Sequence, residues 1–241
     1  MKRKALIIGN SGDSQNPKEY LEGVKKDVKN YNSFLQSNIG GAWYEHEIVL
    51  SLDESKAEVL QKIENIKNEK NDFIFILFSG HGSYSSWKEC RKLYIYEEYI
   101  YEKDLLYAAD KQITIMDTCA GIEEDMLHVC FESESVNMDN IKKSRRDYRR
   151  IYEEEITKCS NQQVILYSSS IDESSGDDSE LGGYFAYSLL TVAEYTGKEV
   201  LSSKEAYLIA KEKVQEKTNE EQNPQCRCIK ADNTLPFSIK E

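Results

Sequence analysis

With 241 residues, 39% of them hydrophobic and 31% charged, the chain has the makeup of a globular protein with room for one large buried core. Its net charge of −12 works against nucleic acid and anionic membrane as partners, because both require concentrated positive charge, and leaves basic peptides as the natural ones. The longest apolar run, residues 73–78, is far too short to span a bilayer, and Met1-Lys-Arg-Lys precedes too few apolar residues for a signal-peptide core, so a cytoplasmic chain is expected.

Lys4-Ala-Leu-Ile-Ile-Gly9 is a continuous apolar run closed by glycine, which reads as a buried first strand. Leu21, Val24, Val28, Tyr31 and Leu35 then recur at helical spacing until Asn38-Ile-Gly-Gly41 stops them. Residues 46–52 read as a second strand. Ser55, with Glu58 in the capping-box position, opens a helix whose apolar face carries Val59, Leu60, Ile63 and Ile66. Residues 72–78 form a third strand, residues 93–96 and 99–101 alternate as a small hairpin, and residues 104–109 suggest a short helix. A fourth strand over 112–116 leads into a helix or turn at 122–127. Residues 128–161 are the least strand-like part and read as an insertion, with a helical face on Ile141, Tyr148, Ile151, Tyr152 and Ile156. A fifth strand at 163–167, a long polar loop at 168–183, helices at 184–195 and 203–217 (the second capped by Ser203), and a closing strand at 235–239 complete the chain. Alternating strands and helices predict a mostly parallel α/β sheet covered on both faces, in one domain over 1–241.

Two strand ends carry the chemistry. Phe73-Ile-Phe-Ile-Leu-Phe78 delivers Ser79-Gly80-His81-Gly82-Ser83, and Ile113-Thr-Ile-Met116 delivers Asp117-Thr-Cys-Ala-Gly121. Reactive groups collect beyond the carboxyl ends of such strands. A cysteine is only a few per cent thiolate near neutral pH, so Cys119 as nucleophile needs a base, and His81 is the partner for it. The flanking glycines allow close backbone approach, and the N–H groups of Gly82 and Cys119 would make an oxyanion hole for acyl transfer. The competing view of each residue alone is a small buried thiol and a structural loop histidine; the matched placement favours the pair.

Phe78-Ser-Gly-His-Gly-Ser83 and Asp117-Thr-Cys-Ala-Gly121 resemble the histidine and cysteine motifs of the caspase-like cysteine peptidases, closest to metacaspases and their prokaryotic relatives. Leu21-Glu-Gly-Val-Lys-Lys-Asp-Val28, residues 164–178 and Asn223-Pro-Gln225 agree in order, leaving only 128–161 uncovered. The resemblance implies a caspase-type three-layer sandwich with a six-stranded sheet. It divides the chain into a large-subunit-like part (1–127), a linker (128–161) and a small-subunit-like part (162–241). It also implies an S1 pocket of Asp27, Ser79 and Asp117 that accepts Arg or Lys, and a substrate-binding loop containing Ser168, Ser169, Ser170 and Asp172. Asp27 has a rival reading as a solvated helix-face acid, since Lys25 and Lys26 mark that turn as exposed.

Two departures bear on cofactors. Metacaspases often bind calcium through an Asp-Asp pair and an Asp seven residues after the Cys; here Lys103-Asp104 and Met126 stand at those positions, so no calcium requirement, metal or other cofactor is expected. Glu123, Glu124 and Asp125 read as a solvated acidic turn, and Val24 stands where many metacaspases have a cysteine. Cys226-Arg-Cys228 lacks the partners a metal site needs, and free thiols are expected for most of the six cysteines.

Residues 142–150 hold six basic residues against one acidic. An enzyme of Arg or Lys preference would find Arg145, Arg146, Arg149 and Arg150 there, so processing in this linker, by the chain itself or by an activating peptidase, is expected beside the alternative of a solvated helix face. The resemblance implies a monomer, acting on protein substrates in defence or cell-death responses. A catalytically silent scaffold is the alternative; a nucleotide-binding protein is a weaker one, because no G-x-G-x-x-G or Walker lysine is present.

Overall fold

The computed structural model describes residues 1–16, 20–121, 144–195, 198–228 and 233–240. In chain order it runs β1 (Arg3–Asn10), α1 (Gly23–Gln36), β2 (Ile48–Leu52), α2 (Lys56–Asn68), β3 (Phe73–Gly80), β4 (Gly82–Ser85), β5 (Cys90–Ile95), β6 (Glu98–Tyr101), α3 (Glu102–Leu105) and β7 (Lys111–Asp117). After the second gap come α4 (Arg145–Lys158), β8 (Gln162–Tyr167), β9 (Asp177–Asp178), β10 (Gly182–Gly183), α5 (Tyr184–Tyr195), β11 (Val200–Ser202), α6 (Ser203–Lys217), β12 (Gln225–Cys228) and β13 (Pro236–Ile239).

Six strands form the central sheet in the order β12-β8-β7-β3-β1-β2. All neighbours are parallel except β12, which lies antiparallel on β8. The continuous apolar runs fold this way because both faces are covered. Along β1, Ala5 and Ile7 face one core while Leu6 and Ile8 face the other; along β3, Phe73, Phe75 and Leu77 alternate likewise with Ile74, Ile76 and Phe78. The first layer comprises α1, α4, α5 and α6; the second comprises α2, α3 and the small β4-β5-β6 sheet.

Four expectations are revised. Pro236–Ile239 is a strand, but it pairs with β11 in a separate two-stranded sheet, and the sixth strand is the polar Gln225–Cys228. Within β12, Cys226 and Cys228 are joined as a disulfide, their side chains sharing one strand face. Helix α6 is capped by Ser202, whose hydroxyl accepts from Glu205 N, while Ser203 Oγ donates to the Leu235 carbonyl. The second half of 128–161 is a core element: Tyr148, Tyr152 and Ile156 of α4 are buried, and Tyr152 Oη donates to the Pro236 carbonyl at 3.0 Å. Residues 122–143, including Glu123, Glu124, Asp125 and Met126, lie outside the described residues.

Candidate active site

The strand register sets the site. Ser79 at the end of β3 pairs with Asp117 at the end of β7, so His81 and Cys119 each follow two residues beyond a matched pair on adjacent strands. Adjacent strands run about 4.8 Å apart. The two loops also touch: a Cβ on Gly82 would stand 2.1 Å from Thr118 Oγ1 and 2.8 Å from the Cys119 carbonyl oxygen, so only glycine fits there. Tyr84 N donates to the Gly121 carbonyl at 3.3 Å, continuing the contact.

Cys119 is 6% exposed. Its sulfur accepts from Ser175 N at 3.2 Å. Burial raises the thiol pKa above its ordinary value and Asp117 adds to the rise, while the Ser175 N–H and the Arg91 guanidinium act the other way. The resting residue is therefore a capped thiol.

Asp27, Ser79 and Asp117 do come together. Asp27 is 1% exposed and so is not a solvated helix-face acid: it faces inward from α1, with Lys25 on the outer side of the same turn. Its carboxylate accepts from Ser79 Oγ at 2.6 Å and from Gly183 N at 3.1 and 3.2 Å. Asp117 accepts from Ser175 Oγ and from Ala186 N, both at 2.7 Å. Neither forms an ion pair among the described residues. Burial, then the proximity of Asp117, holds Asp27 well above the ordinary carboxylate range, and burial raises Asp117 as well. A third acid, Asp177, accepts from Gly23 N at 3.1 Å. Burial, with Asp117 and Asp178 adding, pushes it up to about 6.

Loop 168–183 closes over these groups. Gly182, at φ +101, would put a Cβ 2.1 Å from Asp27 Oδ1, and Gly183 would put one 2.4 Å from Asp117 Oδ2, so the glycine pair lies directly on the two carboxylates. The cavity left between Val24, Ser79, Asp117, Cys119 and Ser175 is about 20 Å³. That is room for about one water molecule. Val24, 1% exposed, forms part of its wall.

The serines of the loop divide in role. Ser168 and Ser169 are fully buried and hydrogen-bond the Thr118 backbone, bracing the cysteine loop. Ser170 Oγ donates to the Asn223 carbonyl, and Asp172, exposed, gives its N–H to the Ala120 carbonyl. Sequence reasoning missed Ser175, Glu173, Asp177 and Gln222. Gln222 Oε1 accepts from Gly176 N, and its Nε2 donates to the Ser168 carbonyl and to Ser175 Oγ, which ties the start of the loop to its middle. Its only signal was its position beside Asn223-Pro-Gln225.

Arg145, Arg146, Arg149 and Arg150 lie on α4. Arg145 donates to the Trp43 carbonyl at 2.5 Å, Arg149 forks onto Glu47 at 2.6 and 2.8 Å, and Arg150 pairs with Glu154 at 2.7 Å, while Arg146 is exposed. Among the described residues, no group of three His, Cys, Asp or Glu is placed to hold a metal, and no helix is long and apolar enough to cross a membrane.

A Caspase domain family model matches residues 2–235. Metacaspase-1A of Aspergillus niger is 34% identical over 112 residues, 43% of this chain and 27% of that protein. Metacaspase-1 of Emericella nidulans is 33% identical over 116 residues, 44% of this chain and 28% of that protein. The chain thus matches less than a third of the length of these relatives. Among solved structures, caspase-1 from Spodoptera frugiperda matches with a TM-score of 0.62 at 14% identity, covering 94% of this chain and 86% of that one, a likeness of fold.

Proposed function

The chain belongs to the caspase-domain peptidase family, and from that premise we propose that it is a cysteine endopeptidase cleaving after Arg or Lys, held closed at rest. The observation that carries the specificity is the pair of buried carboxylates, Asp27 and Asp117, beside Cys119 with no cation of their own among the described residues. Two such acids repel an acidic P1 side chain and pair with a basic one in a poorly hydrated pocket.

In this reading His81 takes the Cys119 proton as the sulfur attacks the scissile carbonyl carbon. The resulting oxyanion is received by the N–H groups of Gly82 and Cys119. Collapse expels the amine, which His81 protonates, and water then hydrolyses the thioester to release the acid and restore the thiol. Entry of the P1 cation favours the ionised forms of Asp27 and Asp117, against the burial that raises both pKa values. No metal or other cofactor is required by these steps.

An arginine side chain does not fit a cavity of about 20 Å³. Activation therefore includes withdrawal of the segment 175–183 from the pocket, which breaks the Ser175 cap on Cys119 and the Gly183 bond to Asp27. Processing at Arg145, Arg146, Arg149 or Arg150 is the trigger suggested by sequence, and it requires α4 to unwind locally, because peptidases bind extended substrate.

The test is turnover of Arg- and Lys-terminated fluorogenic peptides by wild type, Cys119→Ala and His81→Ala. The expected result is loss of about 10³-fold or more in kcat/KM in each variant. Binding of a partner with no turnover in wild type would instead establish a silent scaffold.

A further inference from the structure

Arg91 lies on β5, opposite Tyr84 of β4, ten residues after His81. It is 4% exposed, an unusual place for a guanidinium. Its Nη2 donates to the Ser169 carbonyl at 2.5 Å, and its Cζ stands 4.5 Å from the centre of the Tyr167 ring. Ser169 in turn donates through Oγ to the Thr118 carbonyl, the peptide group that leads into Cys119. A chain of contacts thus runs from the hairpin that follows His81, through the loop after β8, to the nucleophile. The Nη1 atom is buried and has no hydrogen-bond partner among the described residues. A buried donor left unpaired is destabilising, so a stability role alone does not account for it.

We propose that Arg91 is a positioning residue of the peptidase reaction: it locks the Tyr167–Ser169 turn under the Cys119 loop and holds a fixed positive charge behind the nucleophile. The inference rests on the peptidase reading above. The side chains whose charge acts on Cys119 are Asp117 from β7 and Arg91 from β5, with Glu102 and Glu173 acting on Arg91 itself, while His81 lies at the β3–β4 junction. Asp117 disfavours the thiolate and Arg91 favours it, so Arg91 offsets the acid that the pocket needs for its P1 cation. Glu102, which Tyr167 hydrogen-bonds, moderates that charge.

The test uses the full chain with Arg91→Gln and Arg91→Lys. The first readout is the pH dependence of Cys119 alkylation by iodoacetamide, followed by peptide mapping so that other thiols are not counted; the second is kcat/KM on an Arg-terminated peptide. Arg91→Gln is expected to raise the alkylation midpoint by about one pH unit, a roughly tenfold slower reaction near neutrality. Arg91→Lys is expected to keep the midpoint near wild type while kcat/KM falls, because an ammonium lacks the planar fork and stack. A folded Arg91→Gln protein with the wild-type midpoint overturns the proposal, as does an equal rise in Arg91→Lys. Should Arg91→Gln fail to fold, Arg91→Lys decides: a held midpoint with lowered kcat/KM supports the proposal, and a raised midpoint or unchanged kcat/KM overturns it. Alkylation needs no substrate, so failure of the peptidase reading shows separately as absent turnover in wild type.

Discussion

Three carboxylates, Asp27, Asp117 and Asp177, are packed around one thiol, and burial raises the pKa of each acid. A carboxylate whose folded pKa lies above its unfolded one contributes stability that is complete below the unfolded pKa and lost as pH rises through the folded value. For Asp177 that window runs from about 4, its unfolded value, up to about 6. The closed form is thus less stable at neutral than at mildly acid pH on this account. Asp177→Asn keeps an acceptor for Gly23 N and removes the charge. It is expected to melt about 2–4 °C higher than wild type near pH 7.5, the gap closing towards pH 4; an equal or lower melting temperature at neutral pH, by calorimetry, contradicts this. Cys119, His81 and Asp117 stood out in the sequence because motif and strand-end position mark them, and Asp27, on α1, only through the family resemblance. Ser175 and Gln222 were not, because their roles depend on how a sixteen-residue loop doubles back, which no periodicity encodes. Arg91 was hidden for another reason: burial of a lone arginine on an alternating strand leaves no mark in composition.

At the scale of elements, α4 shows how a basic run can be both surface and core. Tyr148, Tyr152 and Ile156 recur every four residues and fill the first layer, while Arg145 and Arg149 reach back to Trp43 and Glu47. The helical period was legible; the anchoring was not, since Glu47 lies 102 residues away from Arg149. Intact-mass analysis after incubation is expected to show two fragments for wild type and one intact chain for Cys119→Ala, with the cut after a basic residue of the 142–150 segment. An intact wild-type chain alongside measurable peptidase activity contradicts self-processing. Strand β12 escaped notice because Gln225-Cys-Arg-Cys228 is short and polar, and an edge strand needs only one buried face. The more apolar 235–239 looked the better strand, and is one, but its partner is β11.

Across the whole molecule, the continuous apolar runs made a covered parallel sheet legible from sequence, and the same register that builds the sheet pairs Ser79 with Asp117, two residues before His81 and Cys119. The net charge of −12 suits a basic substrate in encounter as well as in the pocket. What the sequence did not disclose is the closed state: the loop that the motifs mark as substrate-binding lies, at rest, on the carboxylates that would bind the substrate. The account therefore stands or falls on P1 selectivity in the active form. Profiling Arg-, Lys- and Asp-terminated fluorogenic peptides with wild type and Asp27→Asn is the direct measurement. Cleavage after Arg and Lys only, with kcat/KM lowered about 10- to 100-fold in Asp27→Asn, is the predicted result; cleavage after Asp, or basic selectivity indifferent to Asp27, would contradict it.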